Sequence, residues 1–232
     1  MSEKNFSEFA QKLNLVFKDE SLLRLAFTHR SYLNEHREEA HRGHNERLEF
    51  LGDAVLELTS TRFLYDRFPT HQEGDLTAYR AALVNANTLS EVAARIGMND
   101  YLLLSKGEAK DLGRARQILL ANAFEALIGA VYLDQGYDGA EHFLSRYLFP
   151  KIDEIVKKRL WQDAKSAFQE KAQEHEGETP TYAVLREEGP DHDKQFVMGV
   201  YVRNVLVAEG EGRSKQEAEQ EAARAGLERK GW

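Results

Sequence analysis

Three carboxylates set into an otherwise apolar helical stretch constrain this chain more than any other feature. The stretch reads Asn45-Glu46-Arg47-Leu48-Glu49-Phe50-Leu51-Gly52-Asp53-Ala54-Val55. At about 3.6 residues per turn, Glu46, Glu49 and Asp53 share one arc, while Leu48, Phe50, Leu51, Val55, Leu56 and Leu58 occupy the other faces. A helix apolar nearly all round is expected to be buried, and a buried carboxylate is costly unless a cation or strong donors compensate it. A solvated face is the commoner reason for acids at this spacing, but the hydrophobic neighbours fit it poorly. The stretch points to a divalent-metal site.

A second apolar stretch carries Asn122 and Glu125 at i and i+3, flanked by Ile118, Leu119, Leu120, Phe124, Leu127 and Ile128. These two share a helix face that folding can bring against Glu49 and Asp53. Hard cations such as Mg²⁺ take oxygen ligands, and a Mg²⁺ held by a few carboxylates can activate water against a scissile phosphate. The histidines point elsewhere. His36, His41 and His44 lie in a polar loop without the scaffold that usually fixes zinc ligands, so solvated loop histidines are expected. His29 is expected as a hydrogen-bonded core residue on an apolar helix, and Ser31 lacks a nucleophile-base-orienter arrangement.

The chain has 232 residues, enough for two modest domains, and its hydrophobic fraction of 42% supports ordinary cores. The absence of cysteine excludes disulfides and thiolate metal sites. No signal peptide is read at the N-terminus, and no apolar run is read as approaching membrane-spanning length, so a cytoplasmic protein without a membrane partner is expected. The net charge of -8 argues against a simple nucleic-acid binder, and residues 158–232 carry 12 Lys and Arg against 15 Asp and Glu. Binding to nucleic acid would need a local basic strip.

Helical periodicity is read over 8–17, 21–28, 46–66, 76–96 and 115–133, with Asp75 as an N-cap and Gly97 as a stop. Residues 106–114 read as a polar loop. Pro150 and the charged run after it mark a domain end, giving a first domain over 1–150 and a linker over 151–161. From 162 to 232 the pattern becomes a helix over 164–174, alternating strands over 181–186, 195–202 and 205–209, and a final helix over 214–228. Turns are expected at Glu188-Gly189-Pro190 and Arg203-Asn204. In the last helix Ala218, Ala222, Ala223 and Leu227 form the packing side.

The run Asn45 to Leu56 resembles the signature of the ribonuclease III family, and further motifs follow in the family's order. Phe27-Thr28-His29-Arg30-Ser31-Tyr32 resembles its opening helix motif; Glu73-Gly74-Asp75-Leu76-Thr77 and Ala121-Asn122-Ala123-Phe124-Glu125-Ala126 resemble its later blocks. The order α-β-β-β-α after residue 161 resembles a double-stranded-RNA-binding domain. The resemblance implies a multidomain protein, an all-α endonuclease domain followed by a small α-β-β-β-α domain. It implies Glu49, Asn122 and Glu125 as metal ligands, Asp53 and Glu125 as catalytic residues, and Glu46 and Glu73 as supporting acids. Phe50, one residue beyond Glu49, points away from the acids; core packing is its plain reading, and the resemblance makes it a dimer anchor.

For the second domain the resemblance implies RNA contacts by Ser166, Gln169 and His192, with Arg213 and Lys215 at the start of the last helix for phosphate. Gln216 and Glu219 stand where many such domains have basic residues, which implies weaker phosphate binding. The implied function is a homodimeric endoribonuclease that cuts double-stranded RNA to 5′-phosphate and 3′-hydroxyl ends. It would use Mg²⁺, with Mn²⁺ able to substitute, need no organic cofactor, and process ribosomal and other RNA precursors. Asn122 stands where the family's pattern has aspartate. That departure keeps open a binding protein with an impaired nuclease site.

Overall fold

In the computed structural model, residues 4–110, 113–189 and 194–232 are described. The chain divides into two compact units, residues 1–161 and 162–232. The first unit is helical: α1 (Phe6–Lys12), α2 (Glu20–Ala26), α3 (Arg30–Glu35), α4 (Glu46–Arg67), α5 (Glu73–Val84), α6 (Ala86–Arg95), α7 (Arg114–Tyr147) and α8 (Lys151–Lys157). Short 3₁₀ turns connect several of them.

The core forms where α4 crosses α7. Leu48, Leu56 and Leu64 of α4 and Phe124, Leu127, Ile128 and Val131 of α7 are buried there. Gly52 and Gly129 make the crossing close. A Cβ on Gly52 would overlap the Glu125 carbonyl oxygen and stand 2.6 Å from its carbon and 2.9 Å from the Gly129 nitrogen. A Cβ on Gly129 would overlap the Leu48 carbonyl oxygen. Both obstacles are backbone, so only residues without a Cβ allow this approach.

Local chemistry redraws several expected boundaries. The helix expected over 76–96 is two helices, because Asn85 is extended (φ -71, ψ 158) and its side chain accepts from Thr88 N at 2.9 Å as the N-cap of α6. Asp75 is not a cap; α5 begins at Glu73 and Asp75 sits in its first turn. Gly97 stops α6 as expected, in the left-handed region at φ 81. The segment expected as a linker contains α8, which Pro150 opens and whose Ile152 and Ile155 are buried in the first unit's core. Trp161 packs edge-on against Tyr79.

The expected helix over 115–133 runs on to Tyr147 through a break at Gly136 (φ 76, ψ -169). Against the expectation of no such run, α7 is long and apolar enough by composition to cross a membrane. Its apolar residues from Ala126 to Val131 are instead buried in the unit's core, which accounts for that composition.

The second unit comprises α9 (Ala164–Glu176), β1 (Thr181–Glu188), β2 (Gln195–Val202), β3 (Val205–Gly212) and α10 (Lys215–Lys230). The strands form an antiparallel sheet in the order β1-β2-β3. Arg203 and Asn204 (φ 51 and 61) form the two-residue β2–β3 turn, whose positive φ values match the twist of a tight hairpin. β1 runs to Glu188, Gly189 has φ 94, and Pro190 lies outside the described residues. Phe168, Ala172, Val200, Val207, Ala222 and Ala223 build a small core between the sheet and its two helices.

Candidate active site and nucleic-acid interface

Close approach at Gly52 and Gly129 carries the side chains of α4 past those of α7, and Glu49, Asp53 and Glu125 fall within one another's fields. Glu125 is half-buried, and its carboxyl is pushed up from 4.5 to about 7, first by burial and then by the charges of Asp53 and Glu49. Burial raises Glu49 as well, aided by Glu46 and Asp53. Glu46 and Asp53 are exposed, so the expectation of wholly buried carboxylates is corrected; Glu46 and Glu49, but neither Asp53 nor Glu125, line a cleft beside the crossing. That cleft, about 300 Å³, is bordered by Arg30, Glu46, Glu49 and Asn122, with Leu104 and Ile118 among its apolar lining. Asn122 thus faces the same space as Glu49. Glu73 is exposed in the first turn of α5 and is not among the charges that raise Glu49 or Glu125.

The donor set is all oxygen, which suits a hard divalent cation. Among the described residues, no three histidine, cysteine or carboxylate side chains stand close enough to form a preformed cage. Carboxylates that repel one another, and that share few protein ligands with water, fit an ion such as Mg²⁺ that keeps part of its own hydration. An ion there would also remove the repulsion that raises Glu49 and Glu125.

Two residues of the quoted motifs have contacts that the sequence reading missed. Asn45 is buried; its backbone N donates to Thr28 O at 2.9 Å and its side-chain amide to Ala26 O at 3.3 Å, tying the start of α4 to the end of α2. Arg30 stands 3.6 Å from a Glu46 carboxylate oxygen at the cleft. His29 is hydrogen-bonded as expected but caps α3 rather than lying within a helix: its Nδ1 is 2.8 Å from Ser31 Oγ. Ser31 Oγ accepts from Ser105 N at 3.1 Å, a structural task. His36 stacks on Tyr32, and the Nδ1 of His41 lies 2.9 Å from Glu38 O.

Phe50 is 82% exposed, so the core-packing reading fails. With Ala54, Leu58 and Tyr65, all exposed, it falls in an arc of about 80° on α4, displaced from the acid stripe. The helix buries only its opposite side.

In the second unit, Ser166 and Gln169 are exposed on α9, one turn apart. Asp163 caps α9 and accepts from the Ser166 hydroxyl at 2.9 Å. Arg213 and Lys215 are exposed around the start of α10, where Ser214 caps by accepting from Glu217 N at 3.2 Å. The Glu217 carboxylate accepts from Arg213 N at 2.9 Å, which closes the turn. Lys215 is not a free cation: Glu187 lies 3.0 Å from its Nζ. Glu219 pairs with Lys165 across the two helices at 2.5 Å. His192 lies outside the described residues.

A helical unit built around two crossed acidic helices, followed by an α-β-β-β-α unit, is matched by two family models. Residues 19–152 match a ribonuclease-III-like model, and residues 164–230 match the double-stranded RNA binding motif. The chain belongs to the ribonuclease III family.

Membership in this family of endoribonucleases extends over nearly the whole chain. Ribonuclease 3 of Geobacillus kaustophilus is 48% identical over 96% of this chain and 90% of its own length. Ribonuclease 3 of Pelotomaculum thermopropionicum is 47% identical over 93% and 89%. Among solved structures, the nuclease domain of ribonuclease III from Campylobacter jejuni matches 63% of this chain and 99% of its own at 38% identity and TM-score 0.57. That structure is described as showing flexibility in a region involved in dimer formation. For a ribonuclease III chain, Gly52 and Gly129 were the residues most readily overlooked. Their signal was glycine in mid-helix, which costs about 1 kcal/mol against alanine and persists where backbones must approach.

Proposed function

We propose that this ribonuclease III is a homodimeric, Mg²⁺-dependent, cytoplasmic endoribonuclease that cuts double-stranded RNA, leaving 5′-phosphate and 3′-hydroxyl ends, and that it processes ribosomal and other RNA precursors. The observation that carries the metal-dependent part of this reading is the close α4–α7 crossing at Gly52 and Gly129, which sets Glu125 under the charges of Asp53 and Glu49. Such a concentration of anionic oxygen is unfavourable by itself and favourable around a divalent ion. Glu49, Asn122 and Glu125 would hold the ion. It would supply charge neutralisation at the scissile phosphate and acidify the attacking water. Asp53 and Glu125 orient that water and manage its proton, while Glu46 and Glu73 support the site's negative field. In the second unit, Ser166, Gln169 and His192 meet the minor groove and Arg213 and Lys215 meet phosphate.

Asn122 offers a neutral amide oxygen where a carboxylate would add a charge. The Asn122→Asp variant is therefore expected to reach half-maximal duplex cleavage at several-fold lower Mg²⁺ than the wild type, and Mn²⁺ to narrow the gap. Parallel metal titrations of the two proteins test this; identical midpoints would show that Asn122 does not limit metal binding. The rival reading, a binder with an impaired nuclease site, rests on Asn122 alone, and no other observation favours it.

Dimerisation is read from the apolar stripe on α4. A two-fold axis through it would seat Phe50 in the partner and provide one acidic site for each RNA strand. Phe50→Ala is expected to weaken the dimer by about 2 kcal/mol or more, roughly thirtyfold in dissociation constant. Sedimentation of both proteins at low micromolar concentration checks it, and an unchanged dimer would remove Phe50 from the interface.

A further inference from the structure

Asp163, the residue that caps α9, is engaged on both carboxylate oxygens. Its Oδ2 accepts the Ser166 hydroxyl at 2.9 Å. Its Oδ1 accepts the Gln220 side-chain amide at 2.7 Å and the backbone N–H groups of Lys165 at 3.2 Å and Ser166 at 3.4 Å. Gln220 belongs to α10, and its own Oε1 accepts from Lys165 N at 3.3 Å, so the amide is oriented at both ends. The adjacent Glu219 holds Lys165 Nζ at 2.5 Å. Two consecutive residues of α10 thus clamp the first turn of α9.

This clamp determines what Ser166 can recognise. A serine hydroxyl has one proton to donate; with that proton on Asp163, only its lone pairs remain for a ligand. The minor groove presents acceptors on the bases, one base donor (the N2 amino group of guanine) and, in RNA alone, 2′-hydroxyls that can donate at every nucleotide whatever the sequence. We propose that Gln220, acting through Asp163, fixes the exposed Ser166 hydroxyl as a hydrogen-bond acceptor, so that this position of the domain selects a 2′-hydroxyl donor. Gln220 is then a positioning residue for telling RNA from other duplexes. The inference rests on the reading that Ser166 meets the minor groove.

The test uses the full chain in EDTA, which prevents cleavage, with two duplexes of one sequence. One has ordinary ribose, and the other carries 2′-fluoro groups, which remove the donor while keeping the A-form geometry. The wild type is expected to prefer the hydroxyl duplex. Ser166→Ala and Gln220→Met (which keeps the bulk of the side chain) are each expected to reduce that preference by about fivefold, the worth of one neutral hydrogen bond. The double variant should lose no more than either single one. If Ser166→Ala binds the hydroxyl duplex as tightly as wild type, Ser166 is not a minor-groove contact and the underlying reading fails. If Ser166→Ala loses preference but Gln220→Met keeps it, weakens both duplexes equally, or adds to the serine loss, the positioning role is overturned.

Discussion

Glu125→Gln should lower duplex cleavage at least about 100-fold, the scale on which lost charge stabilisation costs reaction rate, and leave duplex binding in EDTA unchanged. The variant keeps the shape of the side chain and removes the charge at a carboxyl raised by burial and by Asp53 and Glu49. It should also alter stability, with a sign fixed by the raised carboxyl. Folding lifts Glu125 from 4.5 to about 7, so the folded protein binds this proton more tightly than the unfolded chain does. The associated stability is fully present below about 4.5 and is lost as pH rises through about 7. Glutamine remains neutral throughout. Without divalent metal, the melting advantage of Glu125→Gln over wild type should grow between those two values and level off above them. Added Mg²⁺ at pH 7 should raise the wild-type melting temperature and leave the variant's nearly unmoved. Ready cleavage by the variant, or a melting difference that does not depend on pH, would contradict the account.

Gly52→Ala should be among the most destabilising single-methyl additions in the chain. The new Cβ meets backbone of α7, the Glu125 carbonyl group and the Gly129 nitrogen 2.9 Å away, and neither can swing aside as a side chain would. The helices must separate, at a cost of about 3 kcal/mol or more, which lowers the melting temperature by about 10 °C for a unit of this size. Separation also draws Glu125 away from Glu49 and Asp53, so activity should fall even at temperatures where the variant remains folded. Thermal melting and a cleavage assay on the folded variant check both parts. A methyl accommodated without loss of melting temperature would mean that the crossing is looser than the geometry shows.

Much of the site was legible because the periodicity of a helix is. The spacing of Glu46, Glu49 and Asp53 placed them on one side of α4, and that of Asn122 and Glu125 gave them a shared face on α7. The depth of the acids was not legible. The apolar residues around them suggested a buried helix, whereas Phe50, Leu58 and Tyr65 lie on an exposed stripe that periodicity alone cannot distinguish from a core. Periodicity alone did not mark α3, because six residues carry little local signal, and only the resemblance put a helix motif there; α3 is set in place by His29 N donating to Leu103 O at 3.1 Å and by Ser31 accepting from Ser105. Residues 151–161 were read as a linker from their charge, although a proline can open a helix as well as close a domain, and two isoleucines at i and i+3 marked its packing face. The second unit was read more closely, since alternation, the Arg203-Asn204 turn and the alanine face of α10 each act locally. The Gln220–Asp163 bond, by contrast, joins residues that only the tertiary fold brings together.

The central claim, that the acids of α4 and α7 form a metal-dependent centre for cutting duplex RNA, is tested most directly by incubating the full chain with a long RNA duplex, with and without Mg²⁺. The account predicts a retarded complex without the ion and, with it, short duplex fragments whose 5′ ends carry phosphate. A retarded complex that stays uncut at every Mg²⁺ and Mn²⁺ concentration, beside an Asn122→Asp variant that cuts, would contradict it.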